Sequence, residues 1–247
     1  MTMNERLTGY GEYKLTMLLR KWFLHIIKYL LQHLQLKLRS IVLAWKIQTG
    51  RFTSDEPEFR WIEEIIHPGD IVLDIGANFG VYTLKFSNLV GPGGRVIAWE
   101  PVPESFYLLT INTSLCRFKN VTLLNLAASD EIRIASMIIP ERKEDGLRNY
   151  YRASLIDINA ADRNGTQVLC CPLDSLQLPA RIRLVKIDVE GHEAMVLAGM
   201  KGIIERDKPV LIIESISPEI CTWLYSQGYR QTKFPGSPNT VFECPGV

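Results

Sequence analysis

At 247 residues, 47% hydrophobic and 22% charged, the chain has globular proportions and room for one full α/β domain with an appendage. Its formal net charge of +1 excludes whole-molecule steering toward nucleic acid or membrane, so any such bias must be local. Five scattered cysteines (Cys116, Cys170, Cys171, Cys221 and Cys244) form no CxxC pair, and no secretory leader or apolar run of about 18 residues is evident; a reduced, cytoplasmic setting is expected.

The first block, from about Lys14 to Ile47, contains neither Gly nor Pro and is bracketed by Gly11 and Gly50. Polar residues at Lys14, Lys21, His25, Lys28, Gln32, Gln35, Arg39 and Lys46 follow helical spacing and draw one narrow stripe. Most of the remaining circumference is apolar, and no acidic residue occurs between Glu12 and Asp55. Residues 1–51 are therefore expected to be a basic amphipathic helical extension. Its greasy face has two readings: packing on its own domain or on a second subunit, or peripheral contact with a membrane surface.

From residue 52 to 247, strand-like and helix-like segments alternate. Strands are expected at Ile71–Ile75, Arg95–Trp99, Val121–Leu126, Arg183–Val189 and Val210–Glu214, with a C-terminal pair near Tyr229–Phe234 and Thr240–Glu243. Helices are expected at Glu58–Ile66, Val81–Leu89, Glu104–Leu115, Glu193–Glu205 and Pro218–Gln227. Short, nearly continuous apolar strands between helices indicate a mostly parallel sheet covered on both faces, with its ligand beyond the carboxyl ends of the strands. Residues 131–169 break the alternation. They read as a polar insertion overhanging that end, with Glu141–Gly146 its most exposed stretch and Asn164-Gly165 a hairpin turn between Leu155–Ile158 and Val168-Leu169.

The stretch Asp74-Ile75-Gly76-Ala77-Asn78-Phe79-Gly80 follows the first strand and opens a helix, which is how nucleotides are cradled. Its glycine spacing departs from the G-x-G-x-x-G of dinucleotide sites, and no phosphate-binding G-x-x-x-x-G-K-[ST] occurs. Asp74 would repel a diphosphate but suits an ammonium group. Glu100, at the end of the second strand, can accept both hydroxyls of a ribose. A cationic ribonucleoside without phosphate, S-adenosylmethionine, fits these charges better than a nicotinamide dinucleotide. Ala128 and Ser129, ending the third strand, are small enough to let an adenine ring lie against the sheet edge.

The second informative stretch is Lys186-Ile187-Asp188-Val189-Glu190-Gly191-His192-Glu193. Asp188 and Glu190 are two residues apart and share a face if the strand extends that far. Four ionisable groups at the ligand end of a core strand cost desolvation and repulsion, which points to use. Bland roles remain for some of them: Glu193 as a favourable charge at its helix N-terminus, Lys186 as a neutralising cation. Asp188, Glu190 and His192 leave a metal site open, since hard-cation sites also use paired carboxylates, but they match no zinc spacing, and no metal is expected.

Val72–Thr83, Glu100-Pro101, Leu173-Asp174 and Lys186–Glu193, followed by Leu197-x-Gly199 and Ile212-Ile213-Glu214, together resemble the FkbM-type methyltransferase family over about residues 70 to 230. That resemblance implies a class I methyltransferase fold, a Rossmann-like, mostly parallel seven-stranded sheet with helices on both faces. It implies an S-adenosylmethionine site at Asp74, Gly76, Ala77, Asn78, Gly80 and Glu100, and O-methylation of a hydroxyl on a sugar, lipid or secondary metabolite, with S-adenosylhomocysteine as product. Removing the hydroxyl proton calls for a base, and the candidates in order are Asp188, Glu190 and His192, with Glu214 fourth. Asp188 has a second role open to it, holding the donor's amino group. Two other classes compete: a nicotinamide-dependent oxidoreductase, which lacks its third glycine, and a non-catalytic donor-binding module. A nucleic-acid substrate fits poorly, because the catalytic block has no basic, aromatic-laced stripe.

Overall fold

The computed structural model describes residues 34–140, 149, 153–156, 165–178 and 180–246. Most of the N-terminal block, the Glu141–Gly146 stretch and Asn164 of the expected hairpin turn lie outside the described residues. Residues 34–48 form helix α1. Packing divides the chain into Met1–Trp45 and Lys46–Val247, a few residues ahead of the boundary expected at 51. Among the described residues, no helix is long and apolar enough to cross a membrane.

The larger unit alternates α2 (Glu58–Ile65), β1 (Ile71–Ile75), α3 (Val81–Val90), β2 (Arg95–Trp99), α4 (Pro103–Ser114) and β3 (Val121–Leu124). Next come β4 (Ala127–Ala128), β5 (Arg133–Ile138), β6 (Ser154–Ile156), β7 (Thr166–Cys171) and β8 (Ile182–Ile187). The chain then runs through α5 (Glu193–Ala198), α6 (Lys201–Asp207), β9 (Val210–Glu214), α7 (Pro218–Ser226), β10 (Arg230–Thr232) and β11 (Asn239–Glu243). The main sheet has seven strands in the order β10-β11-β9-β8-β1-β2-β3. Its pairings are parallel except those of β11, which runs antiparallel to β9 and β10.

The strands are apolar on both faces because both faces are covered. Leu73, Ile75, Trp99, Val185, Ile187, Leu211 and Ile213 point to one side, where they pack with Val196, Ile203, Ile204 and Leu224 from α5, α6 and α7. Val72, Val96, Leu184, Val210 and Ile212 point to the other and pack with Phe59, Ile62, Tyr82 and Phe86 from α2 and α3. Each such side chain contributes about 1.5–3 kcal/mol on full burial. The two-residue period also puts Asp74 and Lys186 on the α3 face, and they are register partners on neighbouring strands.

Four expectations need correction. The strand expected to run to Leu126 stops at Leu124, where the Asn125 side-chain amide donates to the carbonyls of Glu100 (2.8 Å) and Pro101 (3.1 Å) and turns the chain away. The strand expected to reach Val189 stops at Ile187, and Glu190 adopts a left-handed φ of 51°, so Asp188 and Glu190 do not share a strand face. Residues 131–169, read as a polar insertion, include most of a second sheet of order β4-β7-β5-β6. In it Leu155 and Val168 both pair with β5 rather than forming a hairpin with each other. Val168 and Cys170 of β7 alternate with exposed residues, whereas Ala135 and Met137 of β5 flank a buried Ser136, so the strand signal is partial and is diluted further by the charged stretch between them.

The helix expected over Glu193–Glu205 is broken into α5 and α6. At Gly199 a side-chain carbon would lie 1.9 Å from the Ser129 carbonyl oxygen, so the helix presses its backbone against that strand end. The second helix starts afresh on Asp174. Its carboxylate accepts from the backbone N–H groups of Gly202 (2.8 Å) and Ile203 (3.0 Å). The Leu173-Asp174 pair is thus an anchor: Leu173 is fully buried and Asp174 caps α6.

Gly199→Ala is expected to lower unfolding stability by about 1–3 kcal/mol through overpacking against rigid backbone. Gly93→Ala, whose added carbon meets nothing within 4 Å, should stay within about 0.5 kcal/mol. Urea unfolding of the two variants checks the contrast.

Candidate active site

At the end of β1 the chain turns at Gly76, with φ +81° and no room for a side chain, since a Cβ would sit 1.8 Å from the Asp188 carbonyl oxygen. The N–H groups of Gly76 and Ala77 donate to the Trp99 carbonyl at 3.0 and 2.8 Å. The turn is thereby fastened to β2 on one side and pressed against the end of β8 on the other. Asn78, also left-handed at φ 48°, donates its N–H to Glu100 Oε2 at 2.8 Å, and Val102 N–H donates to Oε1 at 2.8 Å. Burial outweighs these two bonds and pushes the Glu100 carboxyl up to about 7. Asn78 Oδ1 is buried with no hydrogen-bond partner among the described residues.

Asp74 is 1% exposed and accepts from Thr83 Oγ1 at 2.5 Å. Burial raises its pKa against the opposing pull of Lys186 and Thr83. Lys186, 3% exposed, places Nζ 2.6 Å from Asp188 Oδ2 and 4.6 Å from the centre of the Tyr82 ring. Burial would favour a neutral amine, but the charges of Asp188 and Asp74 outweigh it and keep the ammonium charged. The Tyr82 hydroxyl donates to Glu56 Oε2 at 2.5 Å. Burial alone would raise the Asp188 pKa, but Lys186 and hydrogen bonding with Glu214 hold it below the ordinary value. Glu214 is pushed the other way, to about 8, by its hydrogen bond with Asp188 and then by burial. The hydrogen bond between them ties the two carboxyls' titrations together.

These groups face one cavity of about 460 Å³. Its polar part is formed by Asp74, Lys186, Asp188, Glu190 and Glu214, and its apolar part by Val102, Ala127, Ala128, Met137 and Leu155. Of the residues expected from sequence, Asp74, Gly76, Ala77, Asn78, Glu100, Ala128, Asp188 and Glu190 line it. Gly80, Ser129 and His192 do not. Gly80 is the left-handed N-cap of α3. Ser129 Oγ and His192 Nε2 lie 3.0 Å apart, linking the end of β4 to the start of α5. Glu193 turns back to accept from Gly191 N–H at 3.0 Å, and burial raises its pKa.

Thr53, Ser54, Glu56 and Tyr82 also line the cavity and were not read from sequence. For the first three no local pattern exists, because only the tertiary path of the segment before α2 brings them over the sheet. Tyr82 sits at an apolar-looking position of α3, and its hydroxyl contact with Glu56 is equally invisible in one dimension.

The arrangement suits a cationic ribonucleoside: a carboxylate for a diol, an unpaired amide oxygen, two carboxylates near an ammonium-sized space, and an apolar slot for a base. The oxygens of Asp188, Glu190 and Glu214 lie within 4.8 Å of one another, which also meets the donor chemistry of a hard divalent cation. His192 is not in that group.

A family model described as the Methyltransferase FkbM domain matches residues 74–231. The 31-O-demethyl-FK506 methyltransferase FkbM of Streptomyces tacrolimicus is 33% identical over 161 residues, covering 55% of this chain and 61% of that protein. The hexuronic acid methyltransferase AglP of Haloferax volcanii is 24% identical over 210 residues, covering 79% and 77%. The crystal structure of methyltransferase FkbM from Methylobacillus flagellatus KT superposes with a TM-score of 0.50 at 16% identity, over 76% of this chain and 50% of that one. At that identity the likeness establishes the class I methyltransferase fold. The chain spans about three fifths of the Streptomyces protein and half of the crystallised one.

Replacing Lys186 by Met leaves Asp74 and Asp188 without their cation and is expected to cost about 1–3 kcal/mol near neutral pH. Without the ammonium both carboxyl pKa values rise, so the deficit should shrink as pH falls and the acids protonate. Urea unfolding of wild type and variant at mildly acidic and mildly alkaline pH measures it.

Proposed function

This chain belongs to the Methyltransferase FkbM domain family, and from that premise we propose that it transfers the methyl group of S-adenosylmethionine to a hydroxyl of a small-molecule, sugar or lipid acceptor. The observation that carries the reading is the placement of Glu100 and the Asp188–Glu214 pair on opposite sides of the Gly76 turn, in one cavity. Methyl transfer needs those two stations, one holding the donor's ribose and one receiving the acceptor's proton. One relative is named for an O-demethylated acceptor and another for a hexuronic acid, which supports a hydroxyl-bearing acceptor.

The residues fit the donor. Glu100 accepts from the ribose hydroxyls with lone pairs left over from its two backbone bonds. Asn78 Oδ1, otherwise unpaired, accepts a further donor hydrogen. Asp74 supplies negative charge for the amino group and Asp188 adds to it. Val102, Ala128 and Met137 offer an apolar slot for the adenine. When bound, S-adenosylmethionine supplies an electrophilic methyl group on a good leaving group. The chain's contribution is to hold the acceptor oxygen in line and take its proton. That proton passes to the Asp188–Glu214 pair in its fully ionised form, with Glu190 at the open side orienting the acceptor hydroxyl. Lys186 keeps Asp188 charged and fixed in place.

Isothermal titration with S-adenosylmethionine tests the donor station. Glu100→Ala should weaken binding at least about tenfold, since it removes two hydrogen bonds to a charged acceptor. Unchanged affinity would overturn the assignment. Because the ribose favours ionised Glu100, wild-type affinity should improve roughly tenfold as pH rises from one unit below 7 to one above it. The transfer step has a separate signature. Turnover should climb with pH through about 8 as Glu214 loses its proton, and Glu214→Gln should abolish that limb while donor affinity stays within about twofold. Glu190→Ala should lower turnover about 10- to 100-fold with donor affinity unchanged.

A further inference from the structure

Helix α1 carries a surface that the methyl-transfer site does not use. Leu34, Leu38, Ile41, Val42 and Trp45 are each exposed over 49–65% of their area. With about 3.6 residues per turn these positions fall within an arc of roughly 100°. The same projection puts Lys37 along one border of the arc and Arg39 and Lys46 along the other. Leu36, Leu43 and Ile47, on the opposite side of the helix, are less exposed. Scattered apolar residues on a surface are ordinary, whereas a continuous stripe of five marks a contact surface.

Charge decides what it contacts. Between Glu12 and Asp55 the chain has eight Lys and Arg residues and no acid, while the whole protein nets only +1, so the remainder is acidic. A second copy laid stripe to stripe would bring the bordering cations of both helices together, like charge against like charge. An anionic lipid surface offers counter-charge at the borders and hydrocarbon beneath the stripe. We propose that α1 lies in the surface of an anionic bilayer. Leu38, Ile41 and Val42 enter the acyl boundary, and Lys37, Arg39 and Lys46 extend to headgroup phosphates along their own aliphatic stems. This inference is independent of the assignments made at the methyl-transfer site.

Co-sedimentation of the full chain with phosphatidylcholine vesicles, with and without phosphatidylglycerol, tests it. Binding should require the anionic lipid and weaken as ionic strength rises. Each cation removed should lower partitioning about fivefold, so K37Q/R39Q/K46Q should lose it by on the order of 100-fold. L38S/I41S should also release the protein from anionic vesicles, with circular dichroism of both variants matching wild type. Sedimentation with neither vesicle, or binding that both variants leave intact, overturns the proposal. So does light scattering that reveals a dimer dissociated by L38S/I41S, since the stripe would then be covered by a second copy.

Discussion

One buried ammonium holds the ligand end of this protein together. β1 and β8 run side by side with both faces covered, so Asp74, at the end of one, has no water to solvate its charge. An isolated carboxylate there would cost several kcal/mol or protonate. Lys186 answers from the neighbouring strand at the same register, and it also binds Asp188, one step beyond the strand's last residue. The Tyr82 ring closes over the ammonium from α3. Two carboxylates against one cation leave the spot negative, which is the polarity a sulfonium and an amino group require.

The same strand pairing positions the rest of the site. The end of β8 can press against the turn only because Gly76 has no side chain where the Asp188 carbonyl sits. The turn, pinned to the Trp99 carbonyl, carries Asn78 to Glu100. The positions of Glu100 and Asp188 on either side of the turn are therefore consequences of a single three-strand alignment, β2-β1-β8. Glu214 joins from β9, next to β8, where its hydrogen bond with Asp188 pushes its own carboxyl up to about 8.

Not every residue of the family-like motifs serves chemistry. Asp174 lies in a stretch that helped mark the chain as FkbM-like, yet it holds two backbone N–H groups at the start of α6. Gly199 allows the break between α5 and α6 to rest against Ser129, and His192 bonds to that same serine. These contacts tie the end of β4 in the second sheet to α5 and to the break that follows it.

The core of the main sheet was legible in one dimension because its signals are local: unbroken apolar runs at Ile71–Leu73, Val96–Trp99 and Val210–Ile213, each followed by an acidic residue. Asp74, Glu100 and Asp188 could be named for the same reason, since a carboxylate at the end of a buried strand stands out against its neighbours. The second sheet was hidden, because β5, β6 and β7 are separated by charged sequence and β5 pairs with strands on both sides of it. Glu56 and Tyr82 were hidden too, as their meeting depends on a chain path, and a sequence pattern reports periodicity but not path. Composition and strand-end chemistry thus determined the fold class and the negative character of the ligand end. Which carboxylate bonds Lys186, and that His192 bonds Ser129 and is absent from the cavity lining, were decided by packing, because those properties arise from distances between residues far apart in the chain.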